Sequence, residues 1–112
     1  MDKETFNKYY QNLLRKASAK RTEKEIEYFS TEDVLRSFRA IANFRGTTTP
    51  VTIMDLSARA LVSISGMVNN RFTLDEPLED ERPTLEQWDE KFIDALNYLI
   101  KLYASIREYR DE

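Results

Sequence analysis

Apolar and polar positions follow a helical period along most of this chain. Phe6, Tyr9, Tyr10, Leu13, Leu14 and Ala17 fall three or four residues apart, which predicts a first helix from about Lys3 into the mid-twenties. Asp2 stands where it can cap that helix. The stripe weakens from Ser18 to Glu25 and resumes at Ile26 and Phe29, so a break between two helical pieces is expected within residues 18–29. Ser30, Thr31, Glu32 and Asp33 then offer a capping box for a second helix carrying Val34, Leu35, Phe38, Ile41, Ala42 and Phe44. Gly46 suits a left-handed residue at its end. Beyond Thr47, Thr48 and Thr49, Pro50 suits the first position of a third helix reaching about Val68. Ile53, Met54, Ala58, Leu61, Val62, Ile64, Met67 and Val68 cover much of that helix, so it is expected to be the most buried one, at the centre. Residues 69–83 read as a long loop. Thr84 and Gln87 have capping-box spacing and open a last helix that continues to the C-terminus. In it Leu85, Phe92, Leu99 and Ile106 recur every seven residues, and it reads as the main packing element.

Composition agrees with this pattern. The 112 residues make one domain, 1–112, with 41% apolar content, enough for a single core. Two glycines and three prolines are too little punctuation for a many-stranded sheet. The expected fold is all-α, a compact four- to five-helix bundle. Charged residues make up 33%, above the usual quarter, which suits wet outer helix faces. With no cysteine and no histidine, disulfides, thiolate metal sites, cysteine nucleophiles, serine–histidine triads and ordinary zinc sites are excluded. Any catalysis would rest on carboxylates, lysine, tyrosine or a hard cation held by oxygen. No run reads as long and apolar enough to span a membrane and no signal sequence opens the chain, so a cytoplasmic location is the default expectation. The net charge of −3 argues against direct nucleic-acid binding.

Four groups of residues carry candidate chemistry. Glu90 and Asp94 stand four apart and stack on one face of the last helix. Like charges at that spacing repel; a divalent metal, a basic partner or tolerance on a wet face would each account for them. With Asp55 from the third helix they would form an oxygen site for magnesium, able to orient a nucleoside triphosphate. The plainer reading makes them surface residues, favoured by Lys91 and Lys101 nearby and by the helix dipole. Asp75, Glu76, Glu79, Asp80 and Glu81 form an acidic stretch, either a solvated loop or an imitation of nucleic-acid phosphate that occupies a basic groove on another protein. Arg15, Lys16, Lys20, Arg21 and Lys24 are its opposite, suited to phosphate, to acids of the same or another subunit, or to the helix dipole. Tyr9, Tyr10, Tyr103 and Tyr109 suit a subunit interface, since tyrosine is apolar in body and wet at its tip.

Two pieces carry a family likeness. One is Val34-Leu35-Arg36-Ser37-Phe38-Arg39-Ala40-Ile41-Ala42 followed by Thr49 to Ala60; the other is Glu90-Lys91-Phe92-Ile93-Asp94-Ala95-Leu96-Asn97-Tyr98. Their order and spacing resemble small phage and prophage helical proteins of the nucleotide-modification-associated type, related to MazG-like pyrophosphohydrolases, over roughly Val34 to Ile106. The resemblance implies that Glu90 and Asp94 occupy the acidic positions of the last helix, with Asn97 after them. The paired glutamates that MazG-like enzymes carry on an earlier helix have no counterpart here, and Leu61, Val62, Ser63 and Ile64 stand where the nucleotide-modification type places basic residues. The reading preferred is a phage-type protein in the host cytoplasm that acts without a cofactor. It would bind a partner protein, such as a basic nucleic-acid-binding host protein, to inhibit or assist it, with a homodimer as a further expectation. The alternative is a magnesium-dependent nucleoside triphosphate pyrophosphohydrolase.

Overall fold

The computed structural model describes residues 1–27, 33–72 and 82–110, with backbone alone for 22–27 and 110. Among them lie four helices: α1, Lys3–Glu27; α2, Arg36–Arg45; α3, Thr49–Phe72; and α4, Leu85–Arg110. The described residues contain no strand, so the chain is all-α, and no fifth helix occurs among them.

The helix ends follow local chemistry. The Asp2 carboxylate accepts from the Thr5 amide at 2.7 Å, closing the start of α1. α1 then runs unbroken past Ser18 to Glu27, where the fading stripe suggests a break. Alanine, lysine, arginine and glutamate fill that stretch and are strong helix formers. Residues 28 and 29, and Ser30 of the expected capping box, lie outside the described residues. Asp33 accepts from the Leu35 amide at 3.0 Å and from Arg39 Nε at 2.8 Å. Val34 therefore sits in the entry turn, exposed, and does not join the buried face of α2. Gly46 adopts φ 68° and its amide donates to the carbonyls of Ala42 and Asn43, the left-handed cap expected of it. Thr48 accepts from the Thr52 amide through its carbonyl at 3.1 Å, so α3 opens at Thr49 and Pro50 is its second residue. α3 continues to Phe72, which turns residues 69–72 of the expected loop into helix. The Thr84–Gln87 box is present in both directions, with Thr84 N–H donating to Gln87 Oε1 at 2.8 Å and Gln87 N–H donating to Thr84 Oγ1 at 3.1 Å.

Helix backbones approach one another in three pairings: α3 with α4, α1 with α4, and α2 with α3. Leu35, Phe38 and Ile53 form the buried cluster, and Leu56, Tyr98 and Leu102 pack against it. Phe38 and Tyr98 meet edge to face, 6.4 Å between centroids. Ala17 is buried where α1 meets α4, and its short side chain permits the close approach. α3 is not buried throughout: Thr49, Thr52, Ile53 and Ser57, all in its first half, are its buried residues. The radius of gyration is 16.7 Å, against about 13 Å for a closely packed domain of this length.

Arg39 binds α2 to the far end of α4. It pairs with Asp33 at 2.8 Å and with Glu108 at 2.6 Å. The Arg39 guanidinium holds both carboxylates below their ordinary values, helped at Asp33 by the Leu35 amide, and Glu108 and Asp33 in turn raise the guanidinium above its own. Groups whose folded pKa is depressed stabilise the fold above their unfolded pKa and lose that contribution as pH falls through the folded one. Arg39→Met therefore lowers the melting temperature at neutral pH, and the gap to the native chain narrows below about pH 4. Thermal unfolding monitored by circular dichroism across pH checks this. Two adjacent buried residues predict opposite signs. Ile53 is fully buried, and Ile53→Ala costs about 2–5 kcal/mol. The Thr52 hydroxyl is buried with no hydrogen-bond partner, so Thr52→Val gains about 1 kcal/mol. Urea unfolding at one fixed protein concentration measures both.

Candidate interaction faces

The acids singled out in the last helix meet two different fates. α1 supplies cations to α4: Lys16 Nζ pairs with Asp89 at 2.6 Å and Lys20 Nζ with Asp94 at 2.7 Å. Asn97 Nδ2 donates to the Ala17 carbonyl at 3.3 Å between the same helices, so the asparagine of the family-like string serves to fasten α1. Lys20 thus answers the charge of Asp94. Asp89, which spacing alone did not single out, turns out to be a pairing residue; a lysine pair four apart on α1 facing an acid pair five apart on α4 was the available signal.

Glu90 and Asp94 do line one cavity of about 400 Å³ with Met67, Arg82, Gln87 and Lys91. A second hollow of about 270 Å³ continues it between α3 and α4, bounded by Leu56, Arg59, Ser63, Lys91, Asp94 and Tyr98. Asp55, the third member of the expected magnesium set, lines neither; it pairs with Arg45 at 3.0 Å. Among the described residues no three acids gather closely enough to hold a metal ion.

The acidic residues Asp75, Glu76, Glu79, Asp80 and Glu81 lie outside the described residues. The helix ends on either side of them are drawn together by Phe72 and Trp88, whose ring centroids are 6.3 Å apart. Tyr9, Tyr10, Tyr103 and Tyr109 are all at least half exposed. Tyr9 and Tyr10 lie on the N-terminal side of the α1–α4 ion pairs, and Tyr103 and Tyr109 lie toward the α4 end that Arg39 holds, so the four do not form one patch.

Two uncovered faces are larger than any of these features. On α3, Val51, Met54, Ala58, Leu61, Ser65, Val68 and Phe72 follow at alternating spacings of three and four, and all are exposed. No charge interrupts that row, and Val62 beside it is 71% exposed. On α4 the seven-residue repeat Leu85, Phe92, Leu99 and Ile106 is exposed at 75, 42, 40 and 43%. The expectation that this repeat packs the core is thus corrected. α4 turns Tyr98, Leu102 and Ser105 inward and its repeat outward, because the Lys16 and Lys20 pairs and the Phe38 contact fix its rotation. The clue in the sequence was quantity: α3 and α4 carry apolar residues on more faces than the described helices cover.

α3 also qualifies by length and composition as a helix able to cross a membrane, with 17% of its most apolar 18-residue window buried. That corrects the expectation that no run is long and apolar enough. No family model matches the chain, and no curated protein or solved structure matches it either.

The Lys20 and Asp94 side chains are 27 and 36% exposed, so the worth of the pair is bounded by solvent screening. Lys20→Met should cost at most about 1 kcal/mol, and Asp94→Asn in the same background should add little further loss. A double-mutant cycle in urea reads the coupling directly.

Proposed function

We propose that this chain acts by binding a partner protein, as an inhibitor or accessory factor, on a four-helix scaffold left open along α3. The uncharged outer face of α3 carries the reading. Its seven exposed positions from Val51 to Phe72 span about 32 Å at 1.5 Å per residue. A heptad-like row of that length fits an amphipathic helix laid along it. Five acids at positions 75 to 81 follow Phe72 directly in the chain, so the partner helix suited to this face is apolar along one side and basic at one end. A membrane is the competing occupant of the same row. Asp55 and Arg59 within α3 weigh against it, since each would cost about 2.5–3.5 kcal/mol near the centre of a bilayer.

Affinity capture with the full chain tests the reading. A defined protein should be recovered in near-equal amount, and Leu61→Arg should reduce recovery at least tenfold. Neutralising the five acids to their amides should weaken that association and flatten its salt dependence. Equal recovery by the Leu61→Arg chain, or co-flotation of the native chain with lipid vesicles, discards the proposal. The chain should also release no pyrophosphate from nucleoside triphosphates with magnesium. Turnover that Asp94→Asn abolishes in a folded chain would put the MazG-like alternative in its place.

A further inference from the structure

The outer face of α4 has a different character from that of α3. Leu85, Trp88, Phe92, Leu96, Leu99, Tyr103 and Ile106 fall on one side of the helix. All are exposed or half-buried, and no charged residue stands among them. The other two sides of α4 are occupied. Asp89 and Asn97 hold α1, while Tyr98 and Leu102 pack on the Leu35, Phe38 and Ile53 cluster. α2 lies on α3, and α3 reaches the start of the row, where Phe72 meets Trp88, leaving Phe92, Leu99, Tyr103 and Ile106 exposed.

We infer that this row is the seam of a symmetric, antiparallel pairing of α4 with a second copy of the same chain. The inference shares with the preceding proposal the premise that uncovered apolar faces are contact surfaces, but it stands on another helix. Three observations select a second copy. First, six of the seven positions mirror one another in spacing, with Leu96 next to the midpoint. Leu85 to Trp88 is three residues, Trp88 to Phe92 four, Phe92 to Leu99 seven, Leu99 to Tyr103 four and Tyr103 to Ile106 three. A two-fold axis beside Leu96 therefore sets Leu85 opposite Ile106, Trp88 opposite Tyr103 and Phe92 opposite Leu99, as a self-complementary interface requires. Second, at these exposures the row and the neighbouring Ile100 offer on the order of 600 Å² per chain, so a pair removes roughly 1,200 Å², where stable interfaces begin. Third, the charges favour opposed directions. Glu86, Asp89 and Glu90 stand in the first turns of α4, and of the charges in its last turns Glu108 is held by Arg39 as Asp89 is by Lys16. Antiparallel alignment keeps the acidic first turns of the two copies apart and opposes the two helix dipoles, whereas parallel alignment sets like ends together.

Sedimentation equilibrium of the full chain, with helicity followed by circular dichroism, tests the seam. The native chain should show twice 13.3 kDa. Phe92→Lys alone and Leu99→Glu alone should each raise the dissociation constant at least ~100-fold, since each places a charge in an apolar contact. Both side chains are about 40% exposed in the single chain, so helicity should hold. The double variant Phe92→Lys/Leu99→Glu should pair again, because antiparallel register sets the introduced lysine against the introduced glutamate of the other copy. Leu61→Arg on α3 should leave the mass unchanged. A native chain that stays monomeric at high concentration, a dimer indifferent to both single variants, or a double variant that remains monomeric overturns the inference. If Leu61→Arg abolishes pairing and the α4 variants do not, this seam is wrong while α3 remains a contact face.

Discussion

The structure depends on how α4 is seated between α1 and α3. Tyr98 and Leu102 turn toward Phe38 and Ile53, and Asp89 and Asp94 turn toward Lys16 and Lys20 on α1. A helix gripped on two sides has no rotational freedom left, so the same contacts that build the small core decide which residues point away from it. The ion pairs are partly exposed and individually weak. Their effect is directional: two lysines one turn apart meet two acids on neighbouring rows of α4, and that match holds in one rotational setting only. With α4 so fixed, its seven-residue repeat is left outside.

Much of the fold was legible in the residues because it is local. Asp2, Gly46 and the Thr84–Gln87 box mark helix ends by hydrogen bonds spanning a few residues, and such bonds need no knowledge of the rest of the chain. The break expected in α1 was misread for a related reason. Periodicity follows the apolar pattern, and where that pattern fades, residues of high helix propensity keep the backbone helical. The same confusion of pattern with burial made α3 look central. An apolar residue records what a position can bury; whether it is buried depends on which helices arrive, and the buried residues of α3 all lie in its first half.

The candidate site was legible to a different extent. That Glu90 and Asp94 share a face follows from four-residue spacing, and they do line one cavity. That Asp94 would be answered by Lys20, seventy-four positions earlier, and Asp55 by Arg45 does not follow from spacing, because pairing between helices is set by tertiary approach. Two of the three carboxylates that looked like a metal set, Asp55 and Asp94, are engaged in holding helices. Asn97, which matches the family-like string, donates to the Ala17 carbonyl between α1 and α4, a contact that spacing within one helix does not show.

A short chain that places apolar residues on three sides of one helix is under a constraint its own length cannot meet. Burying the last face of α4 by rotation would expose Tyr98 and Leu102, pull Phe38 and Ile53 out of their contact and separate Lys16 and Lys20 from their acids. Covering it with another segment would need a helix that the described part of the chain does not have. The seam inferred above would cover that face from outside the chain. A nearly mirrored spacing is compatible with a copy of the same helix, since in such a pair each position serves both as the contacting residue and as the residue contacted. The row on α3 has a different character, regular in spacing and followed in sequence by acids at one end only, and a one-ended charge pattern suits a partner of another kind.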